Sequence, residues 1–397
     1  MSDRIHVTYR LTLHDDDSPD DRIRALQLEQ SAELPDAVVR DMDMNHVTGD
    51  VIHTDILNRR QLDVVIAWPA SNLGGEITQF LNILFGNISM KQGIAILDVQ
   101  WSDLAPHFFS GPSLGIDSIR THWHISGRPL SCTALKPMGH STSQLAETAY
   151  QFALGGIDII KDDHGLADQN SAPFSDRVAA CVEALQTAAR KTGKRSRYFP
   201  NITTDPHLVE LRYKQAAEAG ADGVLLAPML TGLSVMHVLA REKPDLPIMA
   251  HPAFSGTMIT HHATSGYVRT NTSKSWHQAQ TDSSANILKC HGFDPGLFYG
   301  ALWRALGADF VIYPNTSGRF SFPYETCWSI NAQARRDDLP FKRCFPVPGG
   351  GMQNSRMRYW RDQYGNDTTF LIGGNLYEDS RGIAEASRSF VQTLIHS

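Results

Sequence analysis

The stretch GGIDIIKDDHG, residues 155–165, decides the fold that we expect for this chain. A short apolar run ends abruptly in a lysine, two acids and a histidine. Side chains alternate along a strand, so Lys161 and Asp163 would lie on the same side. Charges directly after a buried strand are costly unless they pair or bind a metal. The pattern predicts a buried strand with a functional carboxyl end, although an internal salt bridge between Lys161 and an aspartate is the alternative.

Seven further runs after residue 129 resemble this one, since each is short, apolar and ended by a polar residue, proline or glycine. With 157–163 they make eight: 132–136, 198–203, 223–228, 247–251, 309–313, 344–347 and 369–372 are the others. Helix-like segments fill most gaps, at 143–154, 177–191, 208–219 and 233–241. Eight such units in series are typical of an α/β (β/α)₈ TIM barrel. A doubly wound open sheet is the alternative, which the strand count disfavours.

The first 125 residues have a different, mixed α+β pattern. Strand-like stretches occur at 5–13, 62–68 and 93–99, and helical spacing runs over 20–33. We therefore expect an N-terminal α+β domain at 1–125 and a barrel at 126–397. A Gly-, Ser- and Thr-rich stretch, 255–284, lengthens the fifth unit and is predicted to be a functional loop or insertion.

Composition excludes several classes of function. The chain of 397 residues carries 36 Lys and Arg against 42 Asp and Glu, a net charge of −6, which disfavours a nucleic-acid binder. No apolar run approaches the about 18 residues that cross a membrane. The five cysteines are scattered without a paired motif, which predicts free thiols in a reducing compartment. We expect a cytoplasmic enzyme that binds neither nucleic acid nor membrane.

The catalytic groups of such barrels come from the carboxyl ends of the strands. Lys136 ends the first run, and a lowered pKa would make it a base; a surface lysine is the alternative. Asp163 and His164 could hold a divalent metal. Asn201 and His251 end the third and fifth runs and could contact a substrate oxygen, although such a histidine is more often a packing group.

Glycines follow the seventh and eighth runs, where barrels often bind phosphate. They are Gly350 and Gly351 in one loop and Gly373 and Gly374 in the other. Arg319, after the sixth run, could neutralise a phosphate or an enolate, or it could be a solvated loop residue. A metal and lysines facing a phosphate site suit proton abstraction next to the carbonyl of a phosphorylated ketose.

Residues 155–163 resemble the metal-site motif of the ribulose-bisphosphate carboxylase large subunit. Residues 127–130 and 135–137 look like the first barrel strand of that family, 111–116 like the preceding linker and 200–203 like the third strand. The resemblance runs over nearly the whole chain. It implies a ferredoxin-like N-terminal domain, a barrel, and a homodimer or a higher oligomer of dimers.

The resemblance also implies roles for individual residues. Lys136 would be the catalytic lysine, and Lys161 would be carbamylated by CO₂. Asp163 would bind Mg²⁺. His251 would touch the substrate, and Arg319 would stand in place of a mobile-loop lysine. The remaining implied residues are the phosphate-binding Gly350, Gly351, Gly373 and Gly374, and Glu29 and Asn87, which the partner chain would contribute.

Four positions depart from the carboxylase pattern and indicate a Rubisco-like protein of form IV. His164 replaces a metal-binding Glu, Met138 a Lys, Pro252 a phosphate-binding Arg, and Arg319 the loop lysine. Arginine does not substitute well for a lysine that must place a point charge. Imidazole also tolerates Mn²⁺, Fe²⁺ or Zn²⁺ better than Mg²⁺, so His164 leaves another divalent metal open.

These features favour a Mg²⁺-dependent isomerase or enolase that enolises a phosphorylated ketose without fixing CO₂. Known Rubisco-like proteins of this kind act in methionine salvage, on 5-methylthioribulose 1-phosphate or a diketo-methylthiopentyl phosphate. A decarboxylase or transcarboxylase of a branched 3-oxo sugar-acid phosphate is the second hypothesis. A catalytically silent regulator is the third, which an intact Lys161 and Asp163 disfavour, and a true carboxylase is the last.

Overall fold

The computed structural model describes residues 4–101, 108–243, 245–260 and 290–396. These residues divide into two compact units. The first takes the described residues of 1–109, 255–298 and 338–340, and the second those of 110–254, 299–337 and 341–397. A domain boundary at 125/126 stays a prediction.

The first unit is built on an antiparallel sheet. Its strands are β1 (Arg4–Thr12), β2 (Asp50–Asn58), β3 (Gln61–Pro69) and β4 (Ile94–Val99), and its helices are α1 (Pro19–Glu29), α2 (Asp36–Asp41) and α3 (Ile77–Phe85). The strand order is β4-β1-β3-β2, with α1 after β1 and α3 after β3, which is the ferredoxin-like arrangement. A two-residue strand, β10 (Gly292–Phe293), pairs parallel to β4. The predicted ferredoxin-like domain is thus confirmed.

The second unit contains eight parallel strands in one sheet. They are β5 (Leu130–Leu135), β6 (Ile159–Asp162), β7 (Arg197–Phe199), β8 (Val224–Leu226), β9 (Ile248–Ala250), β11 (Phe310–Pro314), β12 (Phe345–Gly349) and β13 (Thr369–Ile372). The order β7-β6-β5-β13-β12-β11-β9-β8 follows the chain around a barrel, and a parallel bridge between Asn201 and Leu225 joins its two ends. Each of the eight predicted runs overlaps one of these strands, so the (β/α)₈ barrel is confirmed.

Helices surround the strands of the second unit. They are α4 (Gly115–Trp123), α5 (Thr142–Leu154), α6 (Phe174–Thr192), α7 (Val209–Glu218), α8 (Pro228–Thr231), α9 (Leu233–Glu242), α10 (Trp303–Ala305), α11 (Tyr324–Arg335), α12 (Met357–Tyr364) and α13 (Ile383–His396). A π-helical stretch, Gly296–Leu302, precedes α10. Within the described residues, no helix is long and apolar enough to cross a membrane.

The barrel interior is a packed apolar core, since parallel strands are buried on both faces. Phe310 and Phe345 lie opposite each other on β11 and β12, and their rings stack at 5.2 Å. Ile116 and Ile119 of α4, the helix before the first barrel strand, belong to the same cluster. Asp309 accepts the backbone N–H groups at the start of α4, and burial raises its pKa. The packed core leaves the loops after the strands as the place for a site.

Candidate active site

The end of β6 sends successive side chains in opposite directions. The Asp162 carboxylate is fully buried and accepts hydrogen bonds from Arg177 Nε at 3.2 Å, Tyr198 Oη at 2.6 Å and the Asn201 N–H at 2.9 Å. Asp163 pairs instead with Lys136 at the end of β5, with Nζ 2.6 Å from Oδ1. Each aspartate therefore has its own cation, and neither of those cations is Lys161.

Lys161 is a buried amine, with 2% of its surface exposed. Its Nζ donates to the backbone carbonyl of Asp162 at 3.0 Å. Burial lowers the pKa of Lys161, and the nearby charge of Lys136 lowers it further. A buried ammonium without a carboxylate at contact distance is costly, which is the physical cause of this shift.

Lys136, Asp163 and His164 form a half-exposed cluster above Lys161. Burial by itself would raise the pKa of Asp163, but the hydrogen bond from Lys136 and the charge of Lys161 outweigh it and lower the pKa. His164 Nδ1 lies 3.7 Å from Asp163 Oδ1. Burial lowers the pKa of His164 despite that carboxylate. Asp163 is thus an ionised oxygen donor beside a neutral imidazole nitrogen.

His251, after β9, stacks on His164 with ring centroids 4.4 Å apart. Its Nδ1 accepts the N–H of Ala253 at 3.1 Å. Burial and then the charge of Lys161 hold the pKa of His251 well below its usual range. A neutral imidazole that accepts at Nδ1 carries its proton on Nε2, so His251 keeps one N–H for an oxygen.

Asn201 performs a task that sequence reasoning did not assign to it. Its Nδ2 donates to the carbonyls of His164 and Leu166 at 3.1 and 2.9 Å, and Oδ1 accepts the N–H of Thr203. The side chain therefore holds the loop that carries His164. A contact between Asn201 and substrate stays a prediction.

Arg177 of α6 fixes the same loop from outside the barrel. It is fully buried, and besides Asp162 it binds the carbonyls of Ala167 and Ala172 at 2.8 and 2.7 Å. Sequence reasoning missed this residue, although the alternation that put Lys161 and Asp163 on one face already turned Asp162 towards the helices.

The glycine loops after β12 and β13 differ in what surrounds them. Gly350 and Gly351 have positive φ angles of 92° and 64°, and a Cβ on Gly351 would lie 1.2 Å from the carbonyl oxygen of Ser317. At Gly373 and Gly374 a Cβ would meet nothing within 4 Å. The first loop is thus packed against the start of the loop after β11, whereas the second is open.

The two glycine loops are linked to each other. Asn375, directly after Gly374, donates from Nδ2 to the carbonyl of Met352 at 2.7 Å. Because β6, β5, β13 and β12 are neighbours in that order, the lysine–aspartate cluster and both loops follow four consecutive strands. The structure brings these predicted residues to one arc of the barrel rim.

The other predicted residues lie elsewhere. Arg319 is exposed in the loop after β11, with its guanidinium 5.9 Å from the ring centre of Phe320. Glu29 and Asn87 belong to the first unit, where Asn87 Nδ2 lies 3.2 Å from Glu29 Oε1 and Lys91 Nζ lies 2.7 Å from Glu29 Oε2. Glu29 and Asn87 are therefore neighbours, as a shared role requires. Their contribution to the site of a partner chain stays a prediction.

Tyr377 is a further residue of this rim that sequence reasoning missed. Its hydroxyl accepts the N–H of Lys136 at 2.9 Å and donates to the carbonyl of Ala134 at 3.0 Å. A tyrosine three residues beyond a glycine pair carries no pattern that a sequence reading could use, because the contact spans 241 residues of chain.

The donor set fits a divalent cation on one condition. Within the described residues, no group of three His, Cys, Asp or Glu side chains is placed to hold a metal. Asp163 and His164 supply two donors, and the uncharged form of a buried amine such as that of Lys161 is the form that adds CO₂ to give a carbamate. The residues present therefore fit a metal if Lys161 is carbamylated.

A ferredoxin-like unit, a (β/α)₈ barrel and lysines with an aspartate at neighbouring strand ends define a class of barrel enzymes that stabilise enolates. Comparisons with known proteins identify the family. Residues 115–285 match the model of the ribulose bisphosphate carboxylase large chain, catalytic domain. Relatives more than 30% identical over nearly the whole chain show that it belongs to this family, among its Rubisco-like members.

Two relatives and two solved structures illustrate the similarity. A 5-methylthioribulose-1-phosphate isomerase of Rhodospirillum rubrum is 33% identical over 99% of this chain and 97% of its own length. A 2,3-diketo-5-methylthiopentyl-1-phosphate enolase of Geobacillus kaustophilus is 33% identical over 82% of this chain and 73% of its own.

The structure of a Rubisco-like protein from Rhodopseudomonas palustris covers the whole chain, and 98% of its own length, at 32% identity and a TM-score of 0.82. Another, from Alicyclobacillus acidocaldarius, has 25% identity, covers 99% of this chain and 93% of its own, and has a TM-score of 0.84. The prediction of a Rubisco-like enzyme of the isomerase or enolase kind is confirmed.

Proposed function

We propose that this protein is an isomerase of 5-methylthioribulose 1-phosphate, which it enolises by removing a proton next to the carbonyl. One observation carries the proposal: Lys161, Asp163, Lys136 and the two glycine loops follow four consecutive barrel strands. A relative with that name matches over 99% of the chain, which favours this substrate over the diketone of the enolases.

Lys136 is the proposed base. Its Nζ lies 2.6 Å from Asp163 Oδ1, in the same cluster as the buried Lys161. A cation held beside Asp163 would compete with Lys136 for that carboxylate and free the Lys136 amine from its ion pair. An amine released in this way can, in its unprotonated form, accept the substrate proton and return it to the other carbon.

His251 is the proposed donor to the enediolate oxygen. Its Nδ1 is occupied by the Ala253 N–H at 3.1 Å, so Nε2 is the atom that carries the proton. The stacked ring of His164 restricts its orientation. A fixed donor costs less reorganisation than water when negative charge develops.

Carbamylated Lys161, Asp163 and His164 would hold the cation, Mg²⁺ or another divalent metal. When bound it would supply Lewis-acid stabilisation of the enediolate. Burial lowers the pKa of Lys161, which favours the uncharged amine that reacts with CO₂. His164 is a nitrogen donor. A site that includes it binds Mn²⁺, Fe²⁺ or Zn²⁺ more readily than an all-oxygen site would, and Mg²⁺ less readily.

The substrate's phosphate would bind at the glycine loops, foremost at Gly373 and Gly374. A side chain there would have free space, so an anion can approach the backbone. Pro252 follows His251 where the carboxylases have an arginine for a second phosphate. This supports a substrate with one phosphate and an uncharged far end, such as the methylthio group.

Proton NMR in D₂O tests the proposed reaction. The purified protein with bicarbonate and Mg²⁺ or Mn²⁺ should exchange the protons next to the carbonyl of 5-methylthioribulose 1-phosphate and yield an isomer. Lys136→Ala should abolish exchange, whereas the exposed control Lys191→Ala should not. Full exchange in Lys136→Ala would remove Lys136 as the base.

Other outcomes of that experiment distinguish the remaining hypotheses. Turnover of the diketone instead would make the protein an enolase. Release of CO₂ from a 3-oxo sugar-acid phosphate would make it a decarboxylase, and binding of neither metal nor sugar phosphate would favour a regulator.

We also propose that the active form is a homodimer in which Glu29 and Asn87 complete the partner's site. Solved relatives include a dimeric and an octameric Rubisco. Mixing Lys136→Ala with Glu29→Gln, both expected to be inactive, should form hybrid dimers with one intact site and restore about a quarter of the activity. No recovery after exchange of subunits would contradict the shared site.

A further inference from the structure

Two hydrogen bonds at Tyr377 connect the open glycine loop with Lys136. The Tyr377 N–H donates to the carbonyl of Gly374 at 2.8 Å, within the short 3₁₀ turn Gly374–Leu376 that opens the loop. The Tyr377 hydroxyl then accepts the N–H of Lys136 at 2.9 Å. A single residue, Tyr377, thus joins Gly374 to the backbone of Lys136.

The position of the tyrosine ring is well defined. It packs edge-on against Phe152 of α5, with centroids 5.4 Å apart. The hydroxyl has both of its hydrogen-bonding directions in use, since it also donates to the carbonyl of Ala134 at 3.0 Å. Burial raises the pKa of Tyr377, and the phenol therefore stays protonated. Both features indicate a group that positions Lys136 and does not itself exchange protons with substrate.

We propose that Tyr377 is a positioning residue that couples phosphate bound at Gly373 and Gly374 to the placement of Lys136. The inference rests on the proposed function, because it concerns the phosphate of that substrate. It adds a role for the phosphate beyond anchoring the substrate. When phosphate occupies the loop at Gly373 and Gly374, the Lys136 amine is placed next to the carbon that it deprotonates. Proton transfer depends steeply on such placement.

Hydrogen–deuterium exchange with inorganic phosphate tests the coupling without catalysis. In the wild type, phosphate should slow exchange in the peptide 370–377 and also at the Lys136 amide, by about threefold or more. In Tyr377→Phe, phosphate should still protect 370–377 and leave Lys136 unchanged. Equal phosphate protection of Lys136 in both proteins, or none in the wild type, would overturn the proposal.

Tyr213→Phe is a matched control, because Tyr213 makes the same pair of contacts elsewhere in the barrel. Its hydroxyl accepts the N–H of Leu246 and donates to the carbonyl of Lys243, both at 2.7 Å. This variant loses two equivalent hydrogen bonds and should keep the phosphate effect on Lys136. Loss of the effect in Tyr213→Phe as well would mean that general loosening, not coupling, is responsible.

Kinetics give a second readout that separates this inference from the proposed function. On 5-methylthioribulose 1-phosphate, Tyr377→Phe should lower kcat about tenfold and change KM less than about twofold, since placement and not binding is lost. Unchanged kcat would contradict the coupling. A wild type that turns over no such substrate would instead refute the proposed function, and the exchange experiment would still decide the coupling.

Discussion

Lys161 and Lys136 lie on adjacent strands and differ in solvent access and partner. Lys161 is buried and bonded to a carbonyl, whereas Lys136 is partly exposed and paired with Asp163. The buried amine suits carbamylation and the accessible one suits proton transfer. The two lysines should therefore fail in different ways when they are replaced.

Lys161→Met should abolish bicarbonate-dependent metal binding, because the carbamate can no longer form. Loss of a ligand should weaken Mn²⁺ binding at least about tenfold, measured by calorimetry with and without bicarbonate. Lys136→Met, the matched variant, should retain the bicarbonate effect and lose proton exchange. Metal binding that ignores bicarbonate in the wild type would exclude the carbamate.

Gly351 and Gly374 should also respond differently to alanine. Gly351→Ala would force a Cβ to 1.2 Å from the Ser317 oxygen at a φ of 64°, so the free energy of unfolding should fall by at least about 2 kcal/mol. Gly374→Ala meets open space and should leave stability within about 0.5 kcal/mol. Urea unfolding and KM measure the two effects.

The substitution at the open position, Gly374→Ala, should affect substrate binding. If phosphate binds at the loop after β13, KM for the sugar phosphate should rise in Gly374→Ala, since the added methyl group occupies the path of the anion. An unchanged KM in that folded variant would argue against phosphate binding there.

At the scale of elements, the end of β6 turns one aspartate towards the proposed site and the next-door aspartate towards the helices. Asp163 faces the rim, and Asp162 faces α6, where Arg177 neutralises it. A buried ion pair that loses one member leaves an uncompensated charge. The geometry of the loop after β6, which carries the proposed metal ligand His164, should therefore depend on Arg177 of the surrounding helix α6.

Arg177→Met should lower the free energy of unfolding by about 3–5 kcal/mol, because Asp162 would keep a buried charge with two weaker donors. Arg60→Met removes an exposed pair with Asp15 at 2.6 Å and should cost less than about 1 kcal/mol. Denaturant unfolding of both variants makes the comparison. Equal losses would mean that the buried pair contributes no more than a surface pair.

Histidine protonation sets a pH dependence for the molecule as a whole. Burial, aided by Arg241, lowers the pKa of His237 to about 4, against 6.5 for an unperturbed histidine. From pH 6.5 down to 4 the unfolded chain binds the extra proton, so stability falls as the pH falls. The lowered pKa values of His164 and His251 act in the same direction.

His237→Gln should therefore flatten the plot of unfolding free energy against pH between 7 and 5. Urea titrations at several pH values measure the slope, which is informative even if the substitution shifts stability at all pH values. His207→Gln, at an exposed position, should keep the wild-type slope. A wild-type slope in His237→Gln would show that this histidine is protonated equally in both states.

Sequence alone predicted the architecture. Eight apolar runs were enough to predict the barrel, because strands that are buried on both faces have continuous hydrophobic sequences. The edge strand β2 (Asp50–Asn58) escaped prediction because every residue in it is exposed and shows no core pattern. The alternation of Lys161 and Asp163 was also predicted, since it follows from strand geometry alone.

Only the tertiary structure decided which groups face one another. In the structure, Asp163 pairs with Lys136, and His164 stacks on His251. Asn201 binds the loop that carries His164, and Tyr377 forms a hydrogen bond with Lys136. Each of these contacts joins the ends of different strands or loops. Local periodicity records the face on which a side chain lies, whereas its partner depends on barrel closure and strand order, and no stretch of neighbouring residues encodes these.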